Sequence, residues 1–256
     1  MKEKQMAKVI SQKEIAKNIF DMWIATDLAD MAKPGQFIGV YPKDKSTLLP
    51  RPISICEVDK EKKALRIVYR IAGAGTGEFS KYAAGDDVSI LGTLGNGFPI
   101  AEAEGKKVFL IGGGIGVPPI LEMAKQMNAD KQILLGYRDS DLFLKEDFDA
   151  HGTVYVATED GSVGTKGNVM DAIVANGLEA DMIFACGPMP MLRAIKAYAA
   201  KKGIKAYISL EEHMACGVGA CLGCVVKTKD IDHHSHVHNA RICTDGPVFE
   251  AEEVEI

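Results

Sequence analysis

Short runs of apolar residues alternating with polar ones dominate the first hundred positions of the chain. "FDMWIAT" (20–26), "GQFIGVY" (35–41), "RPISICEVD" (51–59), "ALRIVYRIAG" (64–73) and "DDVSILGTLG" (86–95) are each strand-sized, with Pro-Gly, Gly-Asp and Gly-Asn turn signals between them. Short strands at that spacing predict a small β-barrel over residues 1–100. The period changes after the polar connector "AEAEGKK". "VFLIGGG" reads as a buried strand, and "PPILEMAKQM" as a helix opening on Pro118 and Pro119, where a missing N–H is no loss. "QILLGYR" and "TVYVATED" are strands, "MDAIVANG" is a helix stopped at Gly177, and "DMIFACGP" is a further strand. "PMLRAIKAYAAKKG" places Leu192, Ile195 and Ala199 on one face and ends at Gly203. Such strand–helix alternation predicts a doubly wound parallel sheet over residues 101–210. Residues 211–256 are rich in Cys and Gly and carry no periodicity.

Composition narrows the class. The chain has 256 residues, 47% hydrophobic and 25% charged, which is a globular balance and long enough for two domains with an appendage. The net charge of −5 is spread through the chain, which excludes the basic face of a nucleic-acid binder. No apolar core follows the charged opening "MKEKQMAKVI", so neither a secretory nor a transit segment is expected. The apolar runs are too short to span a bilayer, so a cytoplasmic protein with no membrane contact is the expectation. Of six cysteines, four crowd into the last region, a distribution that points to metal binding and not to a disulfide framework.

Cys216, Cys221 and Cys224 in "CGVGACLGC" form C-x4-C-x2-C, with Cys243 further on. This is the spacing of plant-type [2Fe–2S] ferredoxins. A loop wrapped round an inorganic core turns its N–H groups inward, which needs positive φ and missing Cβ atoms. Gly217, Gly219 and Gly223 suit that need, and the small Ala220 keeps the turn open. A tetrahedral zinc site is the competing reading, since four thiolates suit zinc by charge. Zinc sites usually pair two C-x2-C knuckles, however, and one is present here. His233, His234, His236 and His238 lie between the third and fourth thiols. A Rieske-like exchange of ligands is disfavoured there by the four cysteines already available, and a solvated loop is the commoner explanation.

Two stretches suit nucleotides. "GGGIGVPP" offers Gly112, Gly113, Gly114 and Gly116 between a strand and a helix, where free N–H groups meet a diphosphate. It departs from the G-x-G-x-x-G fingerprint because Val117 takes the last glycine position. Cys186, Gly187 and Pro188 end a later strand, on the edge where open α/β sheets bind ligands. Cys186 there is either close to a nicotinamide or a buried thiol. In the barrel region, Arg51 beside Pro52 and Arg70 in "VYRIAGAGT" are shaped to clamp a phosphate, with Gly75 and Thr76 as further donors. Exposed arginines on surface strands are the plain alternative. Asp139 in "GYRDSD" suits a ribose 2′-hydroxyl and Arg138 a 2′-phosphate; Glu159 and Asp160 add negative charge, so NAD is expected.

Together "PGQF" (34–37), "RPIS", "YRIAGAGT", "GGGIGVPP" and "CGPMPML" resemble the ferredoxin-reductase family. With "EEHMACGVGACLGCVVK" and "RICTDGPVF" added, the resemblance covers nearly the whole chain and is to one branch, the electron-transfer subunits of NAD-linked, two-subunit dihydroorotate dehydrogenases. The resemblance implies a ferredoxin-reductase-like FAD barrel over 1–100, an NAD-binding α/β domain over 101–210 and a [2Fe–2S] segment over 211–256. By it, FAD contacts Arg51, Pro52, Ile53, Ser54, Val68, Tyr69, Arg70, Gly75 and Thr76, and the cluster ligands are Cys216, Cys221, Cys224 and Cys243. NAD is then an exchangeable substrate, and no side chain is a general acid or base. The implied partner is an FMN-containing catalytic subunit, in a heterotetramer of two of each. Electrons from dihydroorotate would pass through FMN, cluster and FAD to NAD+, in pyrimidine biosynthesis. The "DIDHHSHVHNA" spacer before Cys243 is longer than the family's usual one. The alternatives are a reductase subunit of a hydrogenase or ferredoxin:NADP oxidoreductase complex, a free-standing reductase, and a zinc-binding module on a nucleotide-sensing domain.

Overall fold

Residues 3–231 and 236–256 are described by the computed structural model. Strands β1 (Lys4–Ala16), β2 (Ile19–Ala25), β3 (Phe37–Tyr41), β4 (Arg51–Asp59), β5 (Ala64–Arg70) and β6 (Asp87–Leu94) close into an antiparallel barrel in the order β1-β2-β5-β4-β3-β6. Alternation makes the barrel: Met22 and Ile24, Ile38 and Val40, Leu65, Ile67 and Tyr69 all point inward. Strand β1 was not among the expected elements. It buries only Ala7 and Val9 along its length, so its pattern reads as polar. A short helix, α1 (Ala74–Phe79), caps one end of the barrel. Its Phe79 is fully buried, edge-on to Tyr69, while Gln12 donates to the Phe79 and Tyr82 carbonyls at 3.0 and 2.8 Å.

The second unit is built from β7 (Lys107–Gly113), α2 (Pro118–Gln126), β8 (Asp130–Tyr137), α3 (Lys145–Phe148), β9 (Thr153–Thr158), β10 (Thr165–Lys166), α4 (Val169–Ala175), β11 (Met182–Cys186), α5 (Met189–Lys202) and β12 (Lys205–Ser209). Its strands pair in parallel in the order β10-β9-β8-β7-β11-β12, so the order reverses between β7 and β11. Helix α5 buries Leu192, Ile195 and Ala199 and stops at Gly203, where φ is +68°, as its pattern predicts.

The last region departs from expectation. After a two-stranded hairpin of β13 (Val225–Lys227) and β14 (Asn239–Arg241), the chain returns to the α/β sheet. There β15 (Val248–Glu250) pairs antiparallel with β12 and forms the sheet's edge. No helix among the described residues is long and apolar enough to cross a membrane.

Barrel and sheet are joined at α2. The buried Glu122 accepts the Val58 N–H at 2.8 Å. Arg66 of β5 is buried and holds both oxygens of Asp21 at 3.0 Å, Glu57 at 3.0 Å, and Asp147 of α3 at 2.7 Å. Glu57 also takes Lys125 of α2 at 2.6 Å. Burial pushes the Glu57 carboxyl up, but the bonds from Lys125 and Arg66 outweigh it and hold it below the ordinary glutamate range. The stabilisation from that group is present above the unfolded pKa and is lost as pH falls through the lowered folded value. Among the described residues, removing the guanidinium leaves the buried Asp21 with the exposed Lys13 at 3.9 Å as its remaining cation. We therefore expect Arg66→Met to lower stability by about 3–5 kcal/mol in denaturant unfolding at neutral pH. The deficit should shrink as the carboxylates protonate in acid.

Candidate functional site

The cysteine-rich loop leaves the end of β12 and folds back between barrel and sheet. Cys221 is exposed, Cys216 half-buried, and Cys224 and Cys243 buried. Cys216 Sγ accepts the N–H groups of Val218 at 3.5 Å and Ala220 at 3.3 Å. Burial works to raise this thiol, but hydrogen bonds from Val218, Cys221 and Ala220 outweigh it and bring it down to about 7. Cys243 is raised to about 12, by burial first and then by its hydrogen bond with Cys224. The thiols thus stand as two pairs, Cys216 with Cys221 and Cys224 with Cys243, and Cys216 lies close enough for its charge to act on Cys243. The hairpin enforces the second pair, because Val225 is opposite Arg241 and the Ile242 N–H donates to the Cys224 carbonyl at 2.8 Å.

Among the described residues no group of three Cys, His, Asp or Glu side chains is gathered round one ion position. Two pairs of thiols, one pair to each metal, with N–H groups aimed at sulfur, fit a two-iron cluster. Gly217 and Gly219 adopt positive φ of +68° and +81°, as the inward-turning loop requires. The third such position is Leu222, at +56°, and not Gly223. At Gly223 the missing Cβ matters differently, since it would stand 3.4 Å from Cys221 Sγ. His238 sets its ring Nδ1 2.8 Å from the Lys229 carbonyl. His233 and His234 lie outside the described residues.

The expected flavin residues gather at one end of the barrel. Arg51 opens β4 and lies over Gly75, where a Cβ would meet its Nε at 2.7 Å. Thr76 Oγ1 accepts the Ala72 and Gly73 N–H groups at 2.8 and 3.2 Å, shaping the turn into α1. Pro52, Ile53 and Ser54 pair with Gly39, Ile38 and Phe37 of β3. Arg70 is exposed at the end of β5, but Val68 and Tyr69 are buried. The Tyr69 ring stacks on Phe20 inside the barrel, centroids 5.9 Å apart, and its hydroxyl donates to Gln12. Strand alternation turns this ring inward, so Tyr69 has only backbone to offer a ligand outside.

The two glycine-bearing turns meet where the sheet order reverses. Gly112 is paired with Cys186 across β7 and β11, and Gly113 packs against Pro188 and Met191. Gly114 has a positive φ of +53°. A Cβ at Gly116 would stand 2.3 Å from the Cys186 carbonyl and 2.6 Å from Gly187 Cα, so the two turns touch backbone to backbone. Cys186 itself is buried, and burial pushes its thiol far up, with the charge of Glu211 adding to the rise. It is a neutral thiol at a strand end. Arg138 and Asp139 follow β8, and Glu159 and Asp160 follow β9, on the same carboxyl edge; Asp139 accepts the Asp141 N–H at 3.0 Å.

Sequence reasoning passed over Glu211 and Asn96. Glu211 follows β12 by two positions, and its carboxyl is raised by desolvation against the charge of Arg70. The only signal was a carboxylate just beyond a strand's carboxyl end. Asn96 has no local signal at all, because its partners belong to the chain's last residues.

All three regions share one core. Cys224, Ile242 and Cys243 pack with Phe37, Leu91 and Leu94 of the barrel and with Ile208, Leu210 and Phe249 of the sheet. Residues 211–255 match the family model of the iron-sulfur cluster binding domain of dihydroorotate dehydrogenase B, and residues 110–197 match the oxidoreductase NAD-binding domain. The fold is that of a chain of the NADH-dependent reduced ferredoxin-NADP oxidoreductase, with TM-score 0.87, 28% identity, and coverage of 98% of this chain and 90% of that one. A ferredoxin NADP+ reductase from Neisseria gonorrhoeae shares the fold more distantly, with TM-score 0.66, 15% identity, and coverage of 83% and 95%. Barrel, dinucleotide-type sheet and thiol lobe together define a ferredoxin-reductase-like oxidoreductase with an iron–sulfur domain.

Within that class, the dihydroorotate dehydrogenase B (NAD(+)) electron transfer subunit of Bacillus mycoides (strain KBAB4) is 45% identical over 263 residues, covering 99% of both chains. The chain belongs to this family of electron transfer subunits. Since a side chain at Gly116 must push the two turns apart, Gly116→Ala should raise the KM for NADH by about tenfold, with flavin and iron content unchanged. Steady-state kinetics beside cofactor analysis measure this.

Proposed function

We propose that this chain carries electrons between an FMN-bearing dihydroorotate dehydrogenase catalytic subunit and NAD+, holding a [2Fe–2S] cluster and FAD between them. The observation that supports it most is the pairing of four thiols in a lobe whose core is continuous with the barrel and the sheet. In this reading Cys216 and Cys221 hold one iron, and Cys224 and Cys243 the other. Arg51 clamps the FAD diphosphate with the N–H groups around Gly75 and Thr76. Pro52, Ile53 and Ser54 line the flavin along β4, and Val68, Tyr69 and Arg70 line it along β5. The turn of Gly112, Gly113, Gly114 and Gly116 receives the NAD diphosphate, Cys186, Gly187 and Pro188 border the nicotinamide end, and Asp139 takes the ribose 2′-hydroxyl.

When bound, the cluster exchanges single electrons and the flavin exchanges either one or two, so a hydride donor and a one-electron carrier can be joined. The side chains position and shield, and dihydroorotate is left to the partner. That partner docks over the exposed Cys221, which Val218, Leu222 and Val225 flank with exposed apolar surface. A cytoplasmic heterotetramer of two chains of each kind completes the reading.

A ferredoxin-NADP type of complex is the second reading, favoured by the near-complete structural match. Its identity is 28%, against 45% for the dihydroorotate dehydrogenase B relative, and this weighs for the first. Anaerobic co-expression with an FMN-bearing partner tests both. About two iron and two labile sulfide per chain, with FAD and NAD+-linked dihydroorotate oxidation, are expected. Colourless material holding zinc overturns the reading, and a coloured complex inactive toward dihydroorotate favours the second. Cys221→Ser should abolish NAD+-linked orotate formation while NADH-to-dye reduction persists, measured spectrophotometrically on the same preparation.

A further inference from the structure

Between the end of barrel strand β6 and the tail after the fourth thiol lies a hydrogen-bonded clamp that none of the cofactor-binding assignments uses. Asn96 Nδ2 donates to the Asp245 carbonyl at 3.0 Å and to the Val248 carbonyl at 2.7 Å. Its Oδ1 accepts the Val248 N–H at 3.2 Å and the Gly97 N–H at 2.8 Å. Its own N–H donates to the Gly246 carbonyl at 2.7 Å. The side chain is thus fully committed, with both donors and its acceptor on backbone groups. Next to it Gly95 sits at φ +76°, and a Cβ there would stand 2.4 Å from Pro247 Cδ, so barrel and tail are in direct backbone contact.

The clamp continues in both directions. On the barrel side, the Gly95 carbonyl accepts Gln36 Nε2 at 2.8 Å, and the Gln36 carbonyl accepts the Ile55 N–H at 2.9 Å. Ile55 follows Ser54 in β4, the strand assigned to the flavin. On the thiol side, Asp245 lies two residues past Cys243 and holds Arg241 through Nε at 3.0 Å and Nη2 at 3.1 Å. Arg241 Nη1 reaches the Gly219 carbonyl within the cysteine loop at 3.4 Å. A continuous path of short, directional bonds therefore runs from β4 through Gln36, Gly95, Asn96 and the 245–248 turn to both halves of the thiol lobe.

We propose that Asn96 is a positioning residue for electron exchange between the cluster and the flavin, setting through the 245–248 turn where Cys243 stands relative to β4. This rests on the reading of the barrel as the FAD site and of the thiols as cluster ligands. When both groups are bound, the flavin would take the two electrons of a hydride from NADH and release them singly, each passing in turn through the cluster to the partner's flavin; Asn96 itself exchanges neither electron nor proton. Its contribution is to the separation and orientation of the two sites, to which transfer between fixed centres is sensitive.

The test uses the full chain in complex with its FMN-bearing partner, as wild type and as Asn96→Asp, which keeps the size and the acceptor but loses both N–H donors. Losing one exposed and one part-buried hydrogen bond should raise amide exchange at residues 242–248 by roughly fivefold. In stopped flow with NADH, flavin reduction should keep its wild-type rate, while cluster reduction slows on the order of tenfold or more. Faster amide exchange with both rates unchanged would mean a purely structural role and would overturn the proposal, as would no change in exchange or an equal fall in both rates. If the Asp variant fails to retain iron, Asn96→Ser, which adds no charge, is judged by the same criteria. Loss of the cluster there too assigns Asn96 to assembly and also overturns it. A wild-type complex lacking FAD or iron would instead defeat the reading of the cofactor sites.

Discussion

A lobe that grips a metal cluster with four thiols has little interior of its own. Among the described residues of 211–256, two three-residue strands pair with each other and a third joins another sheet. A hairpin that short is marginal in water, and a segment of this size cannot bury enough surface to order itself. The structure meets this by lending the lobe a core: Phe37, Leu91 and Leu94 from one side, and Ile208 and Leu210 from the other. The order of the thiol loop is therefore a property of the whole chain. Perturbing the barrel's β6 edge reaches the cysteines as directly as perturbing the loop that carries them.

The same demand for fixed geometry accounts for the joint between barrel and sheet. An apolar contact between two domains leaves them free to slide, whereas charges desolvated together accept few arrangements. Arg66 reaches carboxylates from β2, β4 and α3 at once, and Glu122 receives a backbone N–H from the opposite unit. Small rotations would break several of these bonds together. A rigid joint keeps β5 of the barrel against the turn at Gly114–Gly116.

Much of this architecture was legible in the amino-acid order. The buried parallel strands, the Pro-initiated helix α2 and the Gly-terminated helix α5 announce themselves because their patterns are long and their stop signals chemically specific. Strand β1 did not, since a barrel's outer face is polar and only Ala7 and Val9 mark its inner one. Strand β15 is three residues long and takes its place from β12, a partner no local pattern specifies. At the site, the cysteine spacing was readable because chemistry restricts which residues can serve. That the Tyr69 ring faces the barrel interior, leaving its backbone to the outside, is decided by strand alternation and not by its neighbour Arg70. Leu222 rather than Gly223 takes the positive φ, as the loop's path over the thiols, and not residue preference, decides it. Asn96 was invisible because its partners lie 149 and 152 positions away.

The four thiols are not equivalent, and the difference has a direction. Cys216 is lowered by N–H groups and paired with the exposed Cys221, whereas Cys224 and Cys243 are buried against the barrel. The exposed Cys221 is thus presented outward, amid Val218 and Leu222, and the Cys224–Cys243 end is enclosed in the shared core with Leu94, which also lies under Gly217. Exposure suits a group that must meet a partner within short reach, and burial suits one that must keep a constant separation from a site in the same chain. In the proposed reading these are the two requirements of a relay. The width of the lobe then spans the interval from docking surface to flavin, and the backbone contact at Gly95 and Asn96 holds the enclosed end in place.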